Sequence, residues 1–244
     1  MKIEDIYNYL DSLSPFSLQE KWDNSGLLVG NMQDKFENIY ISLDLDLKML
    51  KKVQKKSLVI THHPLIFSPL KSINDNTYTT KILKKLIKKD ISLICMHTNI
   101  DKTHLNSYVG KEILEFDFKE DEDFILCADI NLSLEDFAKH LKDKLGLKKL
   151  KITNAKKHIN TVSLTTGAGM SLLPSIKTDC FITGDIKYHE AMDAKVRDIC
   201  LIDIGHYESE IHFITLMNRL IEKYLKTNDK KAIMLKSHNP FNYI

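Results

Sequence analysis

Apolar residues at Ile3, Ile6, Tyr7 and Leu10 recur at helical spacing and predict a helix over residues 3–13. Residues 38–43 read as a strand ending at Asp44, and 46–55 as an amphipathic helix with Asp46 near its start. Residues 57–60 form a short, β-prone apolar run that leads into His62, His63 and Pro64. Proline donates no N–H and biases the residue before it away from helix, so a strand is expected to stop there. Residues 76–89 predict a helix with Ile82, Leu83 and Leu86 on one side, and 91–96 a third strand leading into His97-Thr98-Asn99-Ile100-Asp101. This β-α-β-α-β order favours parallel strands with helical crossovers. A second set of elements follows: strands at 125–130, 161–165, 179–182, 199–204 and 231–236, and helices at 133–145 and 207–224. Ser133 fits the start cap and Gly146 the residue past the end of the helix between them. The expected fold is α/β. Two lobes, 1–115 and 124–244, each carry a mostly parallel or mixed sheet flanked by helices, joined by an acidic linker at 116–123.

Composition narrows the class. The chain has 244 residues, 43% hydrophobic and 28% charged, as in ordinary globular proteins. A formal net charge of +2 gives no electrostatic case for nucleic acid, and lysine runs such as Lys84-Lys85 read as solvated helix faces. The first residues show no apolar signal segment, and no run approaches the roughly 18 apolar residues of a membrane span. Four scattered cysteines, Cys95, Cys127, Cys180 and Cys200, form no Cys-x-x-Cys pair and read as reduced core thiols of a cytoplasmic protein. The single tryptophan, Trp22, is expected as a buried packing anchor.

Candidate chemistry gathers at three strand ends: His62-His63, His97 with Asp101, and His206 with Glu210. His206 and Glu210 are four apart at a helix start, so they share one face. In open α/β sheets ligands bind beyond the carboxyl ends of strands, where parallel strands would bring these groups together. Strand alternation would point His62 and His63 to opposite sides, serving two ions about 3.5–4 Å apart. Asp101 and Glu210 are then natural bridging carboxylates. Two divalent cations against this ligand set leave a positive surplus that would lower the pKa of a bridging water and attract a phosphate. Nitrogen and oxygen donors without thiolate suit zinc, iron, manganese or nickel. His97 could ligate, orient a ligand or move protons; a proton-transfer or orienting role is favoured. His104 reads as a surface histidine. His189, in the stretch that begins Thr183-Gly184-Asp185, could bind substrate or protons. Gly167-Ala168-Gly169 reads as a tight turn, with phosphate approach the lesser alternative.

Thr61-His62-His63-Pro64, the stretch from His97 to Asp101, Thr183 to Glu190, and Gly205-His206-Tyr207-Glu208-Ser209-Glu210 together resemble the dinuclear-metal family of GTP cyclohydrolase I type-two homologues, also called the NGG-one-interacting-factor-three-like family. Trp22-Asp23-Asn24-Ser25-Gly26-Leu27 resembles its N-terminal motif. The likeness covers essentially the whole chain, in the short form that lacks the inserted middle domain. It implies two divalent metal ions per subunit held by His62, His63, Asp101, His206 and Glu210, in a dinuclear site between two α/β lobes. It also implies a toroidal homohexamer with the metals facing an internal cavity.

The activity it implies is metal-dependent hydrolysis of a purine nucleotide. A metal-activated water would attack the base and formate would leave; the expected catalytic residues are His97 and Glu210, and Asp185 and His189 are expected to contact substrate. The alternatives are a two-metal phosphoesterase acting on another phosphorylated small molecule, and a non-catalytic metal-binding scaffold or regulator.

Overall fold

The computed structural model describes residues 1–154 and 156–241. In chain order its main elements are α1 (Ile3–Leu13), β1 (Gly26–Val29), β2 (Asn38–Ser42), β3 (Ser57–Thr61), α2 (Tyr78–Lys89), β4 (Ile91–Cys95), β5 (Lys119–Glu122), β6 (Ile125–Ser133), α3 (Leu134–Leu145), β7 (Lys151–Thr153), β8 (His158–Leu164), β9 (Cys180–Thr183), α4 (Tyr188–Val196), β10 (Cys200–Asp203), α5 (His206–Glu210), α6 (Phe213–Thr227) and β11 (Ala232–Met234). They divide into two compact units, Met1–Ile100 with Phe213–Ile244, and Asp101–His212. The expected α/β class with two sheets holds.

The first unit is built on a five-stranded sheet in the order β1-β4-β3-β2-β11. β11, β2, β3 and β4 run parallel, and β1 closes one edge antiparallel to β4. All five residues of β3 and of β4 are buried. Such strands are covered on both faces, as near-continuous apolar runs require. Tyr40, Val59 and Leu93 pack with Ile82, Leu83 and Leu86 of α2. Thr77 caps α2 by accepting from the Thr80 N–H, and Asp90 ends it in a left-handed turn at φ +54°. The chain-order division expected from the sequence is corrected here. β11 pairs in register with β2, Ala232 opposite Ile39, and α6 lies against both, so the C-terminal segment joins the first sheet. The expected helix over 46–55 is also corrected to a short 3-10 turn, Met49–Lys51. The Asp46 carboxylate caps that turn by accepting from the Met49 N–H at 2.6 Å. Leu45, Met49, Leu50 and Val53 reach the core without a regular helix.

The second unit holds a six-stranded sheet, β5-β6-β8-β9-β10-β7. Its centre, β8-β9-β10, is parallel; β5, β6 and β7 are antiparallel to their neighbours. Half of the expected linker is β5, an edge strand whose four residues are exposed and charged, a composition that discourages further strand pairing. Ser133 and Gly146 bound α3 as the sequence indicates, the glycine at φ +66°. The expected helix over 207–224 is two helices, α5 and α6, separated at residues 211–212. Two π-helical turns, Asp101–Leu105 and Val109–Ile113, flank Asn106–Tyr108. Such widened turns concentrate at functional positions. Among the described residues no helix is long and apolar enough to cross a membrane.

Candidate metal centre

Each unit presents functional side chains beyond the carboxyl ends of three adjacent parallel strands. In the first unit these are β2, β3 and β4. His62 and His63 follow β3, which ends at Thr61, so strand alternation no longer governs them. The expectation that they point to opposite sides is corrected: their ring centroids are 4.9 Å apart. His97, two residues past β4, completes a triangle at 5.1 Å from His62 and 5.6 Å from His63. One nitrogen of each ring lies within 4.8 Å of those of the other two.

Hydrogen bonds decide which nitrogen each ring offers. His62, fully buried against Phe213, holds Nδ1 2.8 Å from the Met96 carbonyl oxygen. A carbonyl only accepts, so Nδ1 carries the proton and Nε2 the lone pair. His63 Nδ1 donates to Asp44 Oδ1 at 2.9 Å, and His97 Nδ1 to Asp23 Oδ1 at 2.7 Å. All three imidazoles therefore present Nε2 in the tautomer that suits a cation. Burial alone would raise the pKa of Asp23. Hydrogen bonds from His97, Thr98 and the Asn24 N–H outweigh it and hold the carboxyl well below the usual range.

In the second unit the strands are β8, β9 and β10. His206 opens α5 just past β10, and its Nδ1 donates to Asp185 Oδ2 at 2.7 Å. Its Nε2 lies 2.9 Å from Glu210 Oε2, one helical turn on. Glu210 is buried, and its carboxylate lies within 4.8 Å of that of Asp101, which opens the first π turn. Asp185 occupies a left-handed conformation at φ +56°, which aspartate tolerates better than most residues.

The glycines explain how tightly this corner is built. A Cβ on Gly167 would sit 2.0 Å from Glu210 Oε1, and one on Gly184 2.7 Å from the backbone nitrogen of His206. The Gly167 N–H donates to Ser209 Oγ and the Gly169 N–H to Thr183 Oγ1, so the loop packs on the acidic side chain instead of offering these groups to a phosphate.

Several expectations change. Trp22 is 58% exposed, not a buried anchor. His104 is half-buried, not a surface residue, and burial pushes its pKa down. His189 lies exposed on α4 with its ring against Tyr188. Asp185, expected as a substrate contact, is exposed and also accepts from His206 Nδ1. Sequence reasoning gave Asp23 and Asp44 no role toward the histidines. Their only signal was an acidic residue in a turn and one at a strand end.

The Duf34/NIF3 (NGG1p interacting factor 3) family model matches residues 1–240. The chain belongs to the DUF34/NIF3 family. A Campylobacter jejuni member named GTP cyclohydrolase 1 type 2 homolog is 43% identical, with both chains covered in full. A Helicobacter pylori member named GTP cyclohydrolase 1 type 2 is 41% identical over 91% of this chain and 92% of its own. The crystal structure of a Staphylococcus aureus hypothetical protein superposes with a TM-score of 0.86 at 27% identity, covering 100% of this chain and 99% of that one. The donor chemistry fits a metal-binding member of this family. The histidine triad of the first unit and the His206, Glu210 and Asp101 group of the second supply nitrogen and oxygen donors suited to a divalent cation.

Proposed function

We propose that His62, His63, Asp101, His206 and Glu210 hold two divalent cations, and that the protein hydrolyses a purine nucleotide with release of formate. One observation carries this reading. Three histidines, His62, His63 and His97, have Nδ1 tied to a carbonyl or carboxylate oxygen, which makes Nε2 the lone-pair nitrogen of each, while His206 faces Asp185 through Nδ1 and Glu210 through Nε2. Chance would scatter these tautomers; a site prepared for cations aligns them. The names of the Campylobacter and Helicobacter relatives support the choice of a purine nucleotide.

When bound, the cation pair supplies a water of lowered pKa and positive charge for phosphate. The remaining work falls to the chain. His97 accepts a proton at Nε2, and Asp23, ionised through the working pH range, stabilises the resulting imidazolium through Nδ1. Asp44 and Asp185 hold the rings of His63 and His206 in register. Glu210, packed against Gly167, adds a fixed negative charge. Asp185 and His189, both exposed, contact the substrate. The expected assembly is a homohexamer, checked by its mass in sedimentation.

The test measures formate and inorganic phosphate released from GTP by protein loaded separately with zinc, manganese, iron(II) or nickel. Formate release that Glu210→Gln abolishes supports the proposal. Phosphate without formate would make it a phosphoesterase. Metal-loaded protein inert with every nucleotide would make it a binding scaffold.

A further inference from the structure

Trp22 and Phe67 are 58% and 51% exposed, although large aromatic rings are normally among the most buried side chains. They lie together, ring centroids 5.9 Å apart with planes tilted by 51°. Trp22 also meets His97 edge-on at 6.1 Å. The exposed aromatic pair stands directly beside the histidine cluster through the contact of Trp22 with His97.

Neither ring hangs on loose chain. Asp23, next to Trp22, has no exposed side-chain surface. It accepts from the Asn24 N–H at 2.7 Å, the Thr98 N–H at 3.1 Å and His97 Nδ1 at 2.7 Å. Ser25 N–H donates to Gln19 Oε1 at 2.7 Å. Asn24 Nδ2 donates to the carbonyl of Ile66, the residue before Phe67. The segment carrying Trp22 is thus clamped both to His97 and to the segment carrying Phe67. The rings are set before any ligand arrives, which lowers the entropic cost of stacking on them.

We infer that Trp22 and Phe67 form the platform on which the purine base of the substrate stacks. This rests on the nucleotide reading proposed above and names the side chains that recognise the base. Every nucleobase has a π face that stacks on aromatic rings. Trp22 stands edge-on 6.1 Å from His97, so a base stacked on it lies beside the histidine cluster to which the proposed function assigns the cations. A contact between copies of this chain is the competing use of the rings, and the experiment separates the two.

Trp22 is the only tryptophan, so its emission reports on this surface alone. Zinc-loaded protein is titrated with GTP and, separately, with sodium tripolyphosphate, following emission and heat. GTP is expected to quench Trp22 saturably, and tripolyphosphate to bind without quenching. Trp22→Leu and Phe67→Leu, both at exposed positions, should weaken GTP by about 5- to 150-fold and leave tripolyphosphate unchanged. GTP that binds wild type and Trp22→Leu equally, with no quenching, overturns the platform and leaves the nucleotide reading standing. Absence of heat from either titrant overturns that reading and the platform with it. A Trp22→Leu protein of altered oligomeric mass and unaltered GTP affinity assigns the rings to a subunit contact and overturns the inference.

Discussion

Gly167 and Gly146 form a natural experiment on how rigidly Glu210 is held. Both have left-handed backbone, φ +64° and +66°, so an alanine at either pays the same conformational penalty of about 1–2 kcal/mol. Their surroundings differ. A Cβ at Gly146 meets nothing within 4 Å, whereas one at Gly167 falls 2.0 Å from Glu210 Oε1 and 3.0 Å from its Cδ. Ordinary contact begins at 3.4 Å, so the carboxylate oxygen must retreat by about 1.4 Å. Glu210 is only 3% exposed, so the retreat displaces packed neighbours, an overpacking cost of about 1–3 kcal/mol. At about 2–4 °C per kcal/mol for a chain of this size, Gly167→Ala should melt about 2–12 °C below Gly146→Ala in metal-free protein. It should also disturb the 2.9 Å contact of Glu210 with His206, and so lose zinc affinity that Gly146→Ala keeps. Differential scanning calorimetry and zinc titration read the two effects. Equal melting temperatures with equal zinc affinity would show that Glu210 swings aside freely, and the account of a carboxylate fixed by a glycine would fail.

Other outcomes follow from the same geometry. Asp185→Asn and Asp44→Asn remove the carboxylates that orient His206 and His63, and should each lower zinc affinity about 10- to 100-fold by calorimetric titration. Asp185 is 56% exposed, so its variant should change metal-free stability by no more than about 0.5 kcal/mol, and a large loss there would mark a merely structural role. Ser133→Ala removes the side chain that accepts from the Asp136 N–H at the start of α3, and should cost about 1 kcal/mol in urea denaturation. The Asp23 carboxyl is held below its ordinary value of 3.8, so its stabilisation is complete above that pH and is lost as pH falls toward the lower folded value. Asp23→Asn should therefore flatten the melting temperature's dependence on pH below about 4, and an unchanged slope would rule the pair out as a source of acid sensitivity.

Where local pattern settled an element, the sequence was a good guide. The 3.6-residue spacing of Ile3, Ile6 and Leu10 marks α1, and the cap residues Ser133 and Gly146 mark both ends of α3. Elements whose existence depends on distant partners were not legible. β5 has no apolar alternation, and pairing with β6 alone makes it a strand. β11 carries no mark of which sheet it joins; its register against β2 sets that. The 46–55 segment has a helix-like apolar spacing, but the Asp46 carboxylate takes the Met49 N–H and favours a tight turn. At the site, the histidines and Glu210 were visible because strand ends and helical spacing expose them. Asp23 was not visible as a partner of His97, because the two are 74 positions apart and only the fold brings them together. Trp22 misled for a related reason: residue type favours burial, while the clamp on Asp23 holds the ring at the surface.

The two units apply one device twice, with different residues around it. In the first, Asp44 lies beyond β2 and accepts from His63, beyond the neighbouring parallel strand β3. In the second, Asp185 lies beyond β9 and accepts from His206, beyond its parallel neighbour β10. The spacings are 19 and 21 residues, the length of one loop-and-strand crossover in each case. What recurs is a relation across two strand ends, an acid fixing the tautomer of an imidazole, and not a string of residues. The intervening segments differ, a 3-10 turn in one unit and α4 in the other, because nothing in the pairing constrains how the chain travels between the strands. Parallel neighbours end at the same sheet edge, so such an Asp–His pair needs only two residues in register. That modest demand lets each sheet prepare an imidazole for a cation while the sequences around the two pairs have little else in common.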